Sequence, residues 1–358
     1  MKINKILENK TNIEKLYTLL GISIFIHYSL VILFSLLILF EIFKSERCKA
    51  MLTNKSLILV QLVLSGSIIM SLIYQNYYGL IAIPVLFCII VGRYYDYEIK
   101  NNVFKIELFE MVSKISVIPF FTTALEFLFT HKRSGYWFFA NPNYLGSVMM
   151  MAALSNLYLW FEKKNKINLI IFIINCMTVI LTGSRSAIIA LIVAIFVLLF
   201  QYIKKIYFAM AVVFLSGYIV GVIHGNLPFI RINSIVKYFW LRIDIIKMAV
   251  IIFKKTNFLF GHGNFYYYKF TNYVYPHTHN ILIELLLSYG LIGTVILSYV
   301  FLEYIYTKFK ENKKNTLYLT LLIGVFIHNF TDFTIFWIQT VMLFIIIFSV
   351  KGYDKKIS

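Results

Sequence analysis

Long runs of apolar residues recur along the whole chain, and they constrain its fold more than any other feature. A helix that spans a bilayer needs about 20 apolar residues, and inside lipid its backbone must satisfy its own hydrogen bonds. The sequence therefore predicts an all-α fold, a polytopic transmembrane helical bundle of about 11 spans. The apolar segments lie near residues 17–40, 57–74, 79–92, 107–130, 144–161, 167–182, 185–203, 206–223, 277–306, 316–330 and 333–350.

Composition and charge agree with a membrane protein. Of the 358 residues, 60% are hydrophobic and 14% are charged, whereas soluble domains carry about 25% charged residues. The net charge of +18 could indicate nucleic acid, but membrane proteins concentrate Lys and Arg on their cytoplasmic side, so no nucleic-acid partner is expected. The three cysteines form no CxxC pair, and neither a disulfide framework nor a cysteine-rich metal site is predicted.

Lysine clusters indicate the topology of the later spans. They alternate with charge-poor turns and predict a cytoplasmic C-terminus. The topology of the first third stays open, because two early segments are both basic and the short segment 79–92 could be re-entrant. The clusters lie at residues 162–166, 204–205, 308–314 and 351–356, and the two early basic segments at 1–15 and 41–56.

The segment 224–276 is the exception to this charge pattern. The alternation predicts that it faces outside, yet it is strongly basic. Within it, "IVKYFWLRIDIIKMAVIIFKK" has apolar residues at helical spacing, which is typical of a helix that lies in the membrane interface. Its basic residues, among them Arg242 and Lys247, could anchor the helix to anionic headgroups or form a basic wall for an anionic, lipid-borne substrate.

Two further polar stretches stand where helices begin. In "HTHN", His277 and His279 could be headgroup contacts or catalytic groups. Asn280 could be an ordinary helix N-cap. A His-x-His pair could bind a metal, but the only carboxylate nearby in sequence is Glu284, so no metal site is predicted. In "FANPNYLGS", Asn143 is typical of a turn and a helix cap.

Arg185 lies in the short turn "TGSRS" between two apolar helices. An arginine at that depth is energetically expensive, and such residues are usually functional or paired. Its planar guanidinium suits phosphate oxygens, which it binds two at a time. The alternative is that its side chain simply reaches the outer headgroups.

Four motifs in succession, "NPNYLG", "TGSRSAIIAL", "LRIDIIKMAV…FLFGHGNF" and "HTHNILIELLLSYGLIG", resemble those of the O-antigen ligase and polymerase superfamily. The resemblance covers roughly residues 140–350 and includes the "HNFTDF" turn at 328–333. The chain departs from the pattern at Ser288, where the family usually carries a Glu, while Glu284 sits a turn earlier.

The resemblance implies a glycosyltransferase of the GT-C type. Such an enzyme moves a glycan from a polyprenyl-pyrophosphate-linked oligosaccharide donor to a glycan acceptor in the membrane, with neither a metal nor another cofactor. By motif, His279 matches the family's histidine, and Arg185 and Arg242 match its arginines. These three are the expected catalytic residues. The expected substrate-binding residues are Asn143, Asn280, His277, Glu284 and Lys247.

The chemistry is consistent with these residue types. Transfer breaks the bond between the anomeric carbon and the pyrophosphate, and cationic groups stabilise the charge that grows on the leaving group. The attacking hydroxyl must lose a proton, and an imidazole with the ordinary pKa of about 6.5 is a suitable base.

We therefore expect one integral membrane domain, 1–358, with an extracytoplasmic loop at 224–276 and a family-like catalytic region at 140–350. The expected function is to polymerise or ligate lipid-linked surface polysaccharide on the outer face of the bacterial cytoplasmic membrane. Polymerase is slightly favoured, because the chain is compact and the external loop lacks an obvious docking domain. A protein O-oligosaccharyltransferase of the same superfamily and a lipid-linked oligosaccharide flippase are the alternatives, although a flippase predicts internal repeats that the sequence does not contain.

Overall fold

The computed structural model describes residues 10–44, 54–223, 235–255, 257–272, 274–312 and 315–351. Within these ranges the fold is all-helical, with no strands. The first eight helices are α1 (Asn12–Ser23), α2 (Tyr28–Lys44), α3 (Lys55–Ile73), α4 (Ala82–Tyr97), α5 (Asn102–Ile115), α6 (Ile118–Thr130), α7 (Tyr136–Phe139) and α8 (Pro142–Lys163). The remaining helices are α9 (Lys166–Leu181), α10 (Arg185–Tyr202), α11 (Lys205–Ile223), α12 (Ile235–Lys255), α13 (Tyr266–Phe270), α14 (Ile281–Glu311), α15 (Thr316–Phe330) and α16 (Ile338–Phe348).

The predicted fold class is confirmed. In the described part of the chain, seven helical stretches are long and apolar enough to cross a membrane, and α9, α15 and α16 are shorter apolar helices. The segment 79–92 belongs to one of the seven, because a 3₁₀ turn at Tyr77–Ile81 runs directly into α4. The expected number of about 11 spans stays a prediction.

Two predicted segments are interrupted. The run 17–40 forms α1 and α2, separated by residues 24–27, and the freed carbonyl of Ile24 accepts a hydrogen bond from Gln339 Nε2 at 2.9 Å. The run 107–130 forms α5 and α6, and Pro119 stands in the first turn of α6, where its missing N–H costs no helical hydrogen bond. Tertiary contacts and proline thus divide stretches that are predominantly apolar in sequence.

Helix α8 is the central helix of the bundle. In its most apolar stretch of 18 residues, 94% are buried. The helix packs against α9, α10, α15 and α16. Small residues permit this close packing. At Gly146, for example, an added Cβ would lie 3.0 Å from Ala187 Cβ and 3.1 Å from Ser184 Cβ. The N-terminal ends of α8 and α10 are therefore held side by side.

Helix α14 is broken at Gly290, whose φ is 67° and ψ is −175°. The loop 257–263 runs beside the break and pairs with it. His262 N donates to Leu287 O at 3.0 Å, and Leu291 N donates to Phe258 O at 2.8 Å. Irregular backbone at membrane depth requires such internal partners. Gly290 approaches this loop so closely that a Cβ there would lie 2.3 Å from Leu259 O.

Helix α12 coincides with the stretch whose spacing predicted a helix. Its apolar residues Ile245, Ala249 and Ile252 are buried and pack with Leu287 of α14 and Tyr267 of α13. The Tyr267 hydroxyl donates to Ile245 O at 3.2 Å. This packing fixes α12 beside the beginning of α14, where the "HTHN" residues lie.

Candidate active site

Four segments far apart in sequence converge at one end of the bundle. They are the "HTHN" residues 277–280, the turn 328–334 after α15, the beginning of α8 and the beginning of α10. Asn280 Nδ2 donates to Phe330 O at 3.1 Å, and the amide of Asn143 reaches the carboxylate of Asp332. Three of the motifs that carried the resemblance therefore lie together with the "HNFTDF" turn.

Asp332 is the centre of this site. Its side chain is fully buried, and Asn143 Nδ2 donates to its Oδ2 at 2.5 Å. Its Oδ1 lies 3.2 Å from His277 Nε2 and 3.6 Å from His279 Nδ1. Burial alone raises the pKa of Asp332, but the neighbouring imidazoles lower it by a larger amount. The pKa therefore lies well below its usual range. Asp332 is therefore an ionised carboxylate beside two imidazoles.

His277 is buried and neutral. Its Nδ1 accepts a hydrogen bond from the backbone N–H of His279 at 3.3 Å, so the single proton of the neutral ring is on Nε2, facing Asp332. Burial lowers the pKa of His277 to about 3, and the charges of His279 and Arg242 act in the same direction. A buried neutral imidazole of this kind holds the carboxylate in place and does not exchange protons near neutral pH.

His279 is the histidine with access to the outside of the site. Its side chain is 19% exposed, and its backbone has the left-handed φ of 54°, which costs energy for a residue with a side chain. Its Nδ1 is buried and has no hydrogen-bond partner among the described residues. At 3.6 Å from Asp332 this nitrogen is just beyond hydrogen-bond distance, so a small rotation of the ring would close the contact.

A series of hydrogen bonds through Arg133 and Asn143 supports Asp332. Arg133 Nη2 donates to Asn143 Oδ1 at 2.6 Å, and Arg133 Nε donates to Thr182 O at 3.2 Å. Both ends of the Asn143 amide are thus engaged by protein. Asn143 positions Asp332, and Arg133 ties the beginning of α8 to the turn that carries Arg185.

Arg185 is the first residue of α10 and is half-buried. The next residue, Ser186, has its Oγ 3.5 Å from His328 Nε2, and His328 Nδ1 lies 3.0 Å from Thr334 Oγ1. These contacts hold the beginning of α10 against the turn that contains Asp332.

Arg242 and Lys247 occupy different faces of α12. Arg242 is half-buried, and its charge contributes to the low pKa of His277. Lys247 is exposed and lies opposite the buried stripe that contains Ile245 and Ala249. Arg242 thus acts electrostatically on His277, whereas Lys247 lies on the exposed face of α12.

Asn280 and Glu284 have structural contacts. Asn280 Oδ1 accepts from Leu282 N at 3.1 Å and from Ile283 N at 3.2 Å, so Asn280 is the N-cap of α14. Glu284 is buried, and it accepts from Thr278 N at 2.8 Å and from Ser288 Oγ at 3.1 Å. Ser288, the departure from the family pattern, is thus the hydrogen-bond partner of Glu284. Together these residues fix the backbone on both sides of His279.

The ligand atoms of His277, His279 and Asp332 lie within 4.8 Å of one another, close enough to hold a metal ion. The carboxylate that the sequence near "HTHN" lacked is supplied by Asp332 from another segment. A metal ligand must present a lone pair, but His277 uses its Nδ1 lone pair for the N–H of His279, which leaves a proton on Nε2. This hydrogen-bond pattern favours a histidine–carboxylate pair over a metal centre.

Three residues of the site were not singled out from sequence: Asp332, His328 and Arg133. Asp332 and His328 belong to the "HNFTDF" turn, and Arg133 to the basic "HKR" stretch before "NPN". Of these two stretches, only the "HNFTDF" turn was noted in the sequence as part of the resemblance. A buried carboxylate partner for a histidine becomes visible only when the fold joins α15 to the "HTHN" residues.

Comparisons with known proteins agree with the motifs. Residues 170–298 match a family model described as O-Antigen ligase. No curated protein matches the chain. The matched region includes Arg185, Arg242 and His279, and it supports a glycosyltransferase-like, O-antigen ligase or polymerase type of activity. The match at residues 170–298 thus confirms the resemblance seen in the sequence and supports the O-antigen ligase and polymerase superfamily.

Proposed function

We propose that this protein is a membrane glycosyltransferase that polymerises or ligates oligosaccharide carried on a polyprenyl pyrophosphate, on the outer face of the bacterial cytoplasmic membrane. The observation that carries the proposal is the arrangement of His279 and Asp332. The imidazole is partly exposed, and its Nδ1 faces a buried, ionised carboxylate at 3.6 Å.

His279 is the general base of this reaction. With the Nδ1 proton directed towards Asp332, the Nε2 lone pair is free to accept a proton from the acceptor hydroxyl. The imidazolium that forms lies beside the Asp332 carboxylate, which stabilises it, as a carboxylate does in other histidine–carboxylate pairs. General-base catalysis of this kind typically contributes about 10²–10⁴ in rate.

The transfer is a single nucleophilic displacement at the anomeric carbon. The acceptor oxygen forms a bond to the anomeric carbon while the bond from that carbon to the pyrophosphate oxygen breaks. The hydroxyl proton goes to His279, and the electron pair leaves with the polyprenyl pyrophosphate. Arg185 and Arg242 meet the growing negative charge, because two guanidinium groups can bind phosphate oxygens in pairs.

The remaining residues of the site position these groups. Arg133 and Asn143 hold Asp332, Asn280 caps the helix that follows His279, and Glu284 fixes the backbone of the "HTHN" turn. In this proposal none of these four touches the reacting atoms.

The test is transfer by purified protein in proteoliposomes, with a polyprenyl-pyrophosphate oligosaccharide donor, a metal chelator and no nucleotide. We expect wild-type protein to form a new glycosidic bond and His279→Ala to lose about 10²-fold or more of that rate. His131→Ala, which removes an exposed histidine from the loop before α7, is the matched control and should retain the wild-type rate. Full activity in His279→Ala, or movement of the donor across the membrane without a new bond, would contradict the proposal.

A further inference from the structure

Arg93 lies near the end of α4 and is half-buried. A charged side chain inside a membrane protein costs free energy, and such residues are usually paired or functional. Helix α14 runs from Ile281, beside the candidate active site, to the lysine-rich segment 308–314, and Arg93 and Lys308 lie over the same tyrosine ring. Arg93 is therefore at the opposite end of the bundle from that site, at the end that the lysine clusters predict to face the cytoplasm.

The acidic residue on the same face of α4 does not compensate Arg93. Asp96 is one turn further along the helix, a spacing at which ion pairs form, but its Oδ1 pairs with Lys308 Nζ of α14 at 2.5 Å. A second lysine, Lys105, donates to Asp96 O at 2.7 Å. Among the described residues Arg93 forms no ion pair, so its positive charge is not balanced within this part of the chain.

The contacts of Arg93 are all with neutral groups. Its Nη2 donates to Asn54 Oδ1 at 3.3 Å, and the same oxygen caps α3 by accepting from Leu57 N. The guanidinium carbon lies 4.1 Å from the centre of the Tyr97 ring and 5.7 Å from that of Tyr304. An aromatic ring covers the flat face of a guanidinium and leaves the N–H groups at its edge for other acceptors. Arg93 is thus held in one orientation with donors to spare.

Arg93 lines a cavity of about 660 Å³ between α3, α4, α14, α15 and α16. The wall is mainly apolar, and among its lining residues Arg93 is the one cation and Asp96 the one acid. Phe301 and Leu302 of α14 also line it, and they are exposed on the outside of the bundle. At this end the cavity therefore opens towards lipid.

The combination of one free guanidinium and an apolar wall identifies the class of ligand. A guanidinium binds two oxygens of a phosphate at once. Basic pockets between membrane helices on the cytoplasmic side are typical sites for acidic lipid headgroups. A soluble phosphate would contact Arg93 but would leave the apolar wall beside it uncovered, whereas a phospholipid matches both parts.

We propose that Arg93 binds the phosphodiester of an anionic phospholipid from the inner leaflet, with one acyl chain in the cavity between α3 and α14. This site lies outside the candidate active site, and the inference does not depend on the proposed glycosyl transfer. An acyl chain is already in an apolar medium, so its transfer into the cavity gains packing and no hydrophobic free energy. Selectivity therefore comes from the headgroup, and one arginine near the membrane surface favours an anionic lipid by about fivefold in Kd.

The experiment measures lipid binding by native mass spectrometry. The protein in detergent micelles is titrated with dioleoylphosphatidylglycerol and with dioleoylphosphatidylcholine, which have the same chains and differ in headgroup charge. Wild type should bind the first phosphatidylglycerol about fivefold more tightly than the first phosphatidylcholine. Arg93→Gln should bind the two lipids equally. Val300→Trp, which fills the cavity from α14, keeps the charge and should weaken the binding of phosphatidylglycerol.

Lys166→Gln is the matched control. It removes an exposed cation from the beginning of α9, in a lysine cluster predicted to lie on the same membrane face, and α9 contributes no residue to the cavity lining. This variant should keep the wild-type preference. An equal loss in Lys166→Gln and Arg93→Gln would assign the preference to the basic surface as a whole and overturn the inference.

Three other results would also overturn it. The first is equal binding of the two lipids by wild type, a result that needs no variant. The second is a preference that survives in Arg93→Gln, provided that the thermal unfolding of this variant is cooperative. The third is displacement of phosphatidylglycerol by inorganic phosphate, which would make Arg93 a site for soluble phosphate.

Discussion

Replacing Asp332 by Asn tests the partnership between this carboxylate and His279. The substitution keeps the size of the side chain and an oxygen for Asn143, but it removes the charge 3.6 Å from His279 Nδ1. In the proposed mechanism the imidazole becomes positively charged as it accepts the proton. The loss of the carboxylate should therefore slow the chemical step and leave donor binding almost unchanged.

The magnitude follows from the distance. Two unit charges 3.6 Å apart interact by about 4–5 kcal/mol at an effective dielectric of about 20. The His279 side chain is 19% exposed, and solvent screening reduces this to about 2–3 kcal/mol. Since about 1.4 kcal/mol is tenfold in rate, kcat should fall about 30- to 150-fold. KM for the donor should change by less than about threefold, as expected when an interaction is made only in the transition state.

The assay is steady-state transfer in proteoliposomes, repeated in a His279→Gln background. If Asp332 acts through His279, the two effects are not additive, and Asp332→Asn should cost less than about threefold when the imidazole is already absent. Asp244→Asn, which removes an exposed carboxylate from α12, is the control for loss of charge alone. A wild-type kcat in Asp332→Asn would refute the reasoning, as would the same 30- to 150-fold loss in both backgrounds.

Three further predictions concern the packing and charge of the site. Burial lowers the pKa of His277 to about 3, so the unfolded chain binds more protons than the folded protein below about pH 6.5. Stability should therefore fall as the pH decreases from about 6.5 towards 3, and the fall in thermal unfolding temperature should be smaller in His277→Gln. Gly290→Ala should destabilise by about 2 kcal/mol or more, from the left-handed φ and the approach to the loop 257–263. Its matched control, Gly66→Ala, places a methyl group in open space on α3 and should be neutral or slightly stabilising when the two are compared by thermal unfolding. Arg185→Lys keeps the charge but loses the planar fork, and kcat should fall about 10²-fold if Arg185 meets the leaving pyrophosphate. An unchanged kcat in that variant would assign Arg185 to surface anchoring.

The long apolar helices were largely predictable, because a segment that crosses lipid must satisfy its own backbone hydrogen bonds. Helix α12 begins and ends with the stretch whose spacing predicted it, since its apolar stripe packs on α14. The break between α1 and α2 was not predictable. Residues 24–27 contain neither Gly nor Pro, and the carbonyl of Ile24 is satisfied by Gln339, which lies 315 residues later.

The site was predictable in part, for a similar physical reason. His277, His279 and Asn280 stand out in the sequence. Polar residues at the beginning of an apolar helix cost free energy unless they take part in binding or chemistry. Asp332 carried no such local signal, because an aspartate in a polar turn after a helix is ordinary. Its role depends on the packing of the turn after α15 against the "HTHN" residues, which places its Oδ1 3.2 Å from His277 Nε2.

The central claim is that one bound pyrophosphate contacts the arginines and faces the imidazole of His279. The most direct measurement is a cryo-EM structure of the protein in nanodiscs with undecaprenyl pyrophosphate. The proposal predicts density for the pyrophosphate between the guanidinium groups of Arg185 and Arg242, with His279 Nε2 facing the anomeric position. Density for the pyrophosphate near Arg93 instead would contradict the proposal. So would a His279 more than about 15 Å from both arginines, because such catalysis requires proximity.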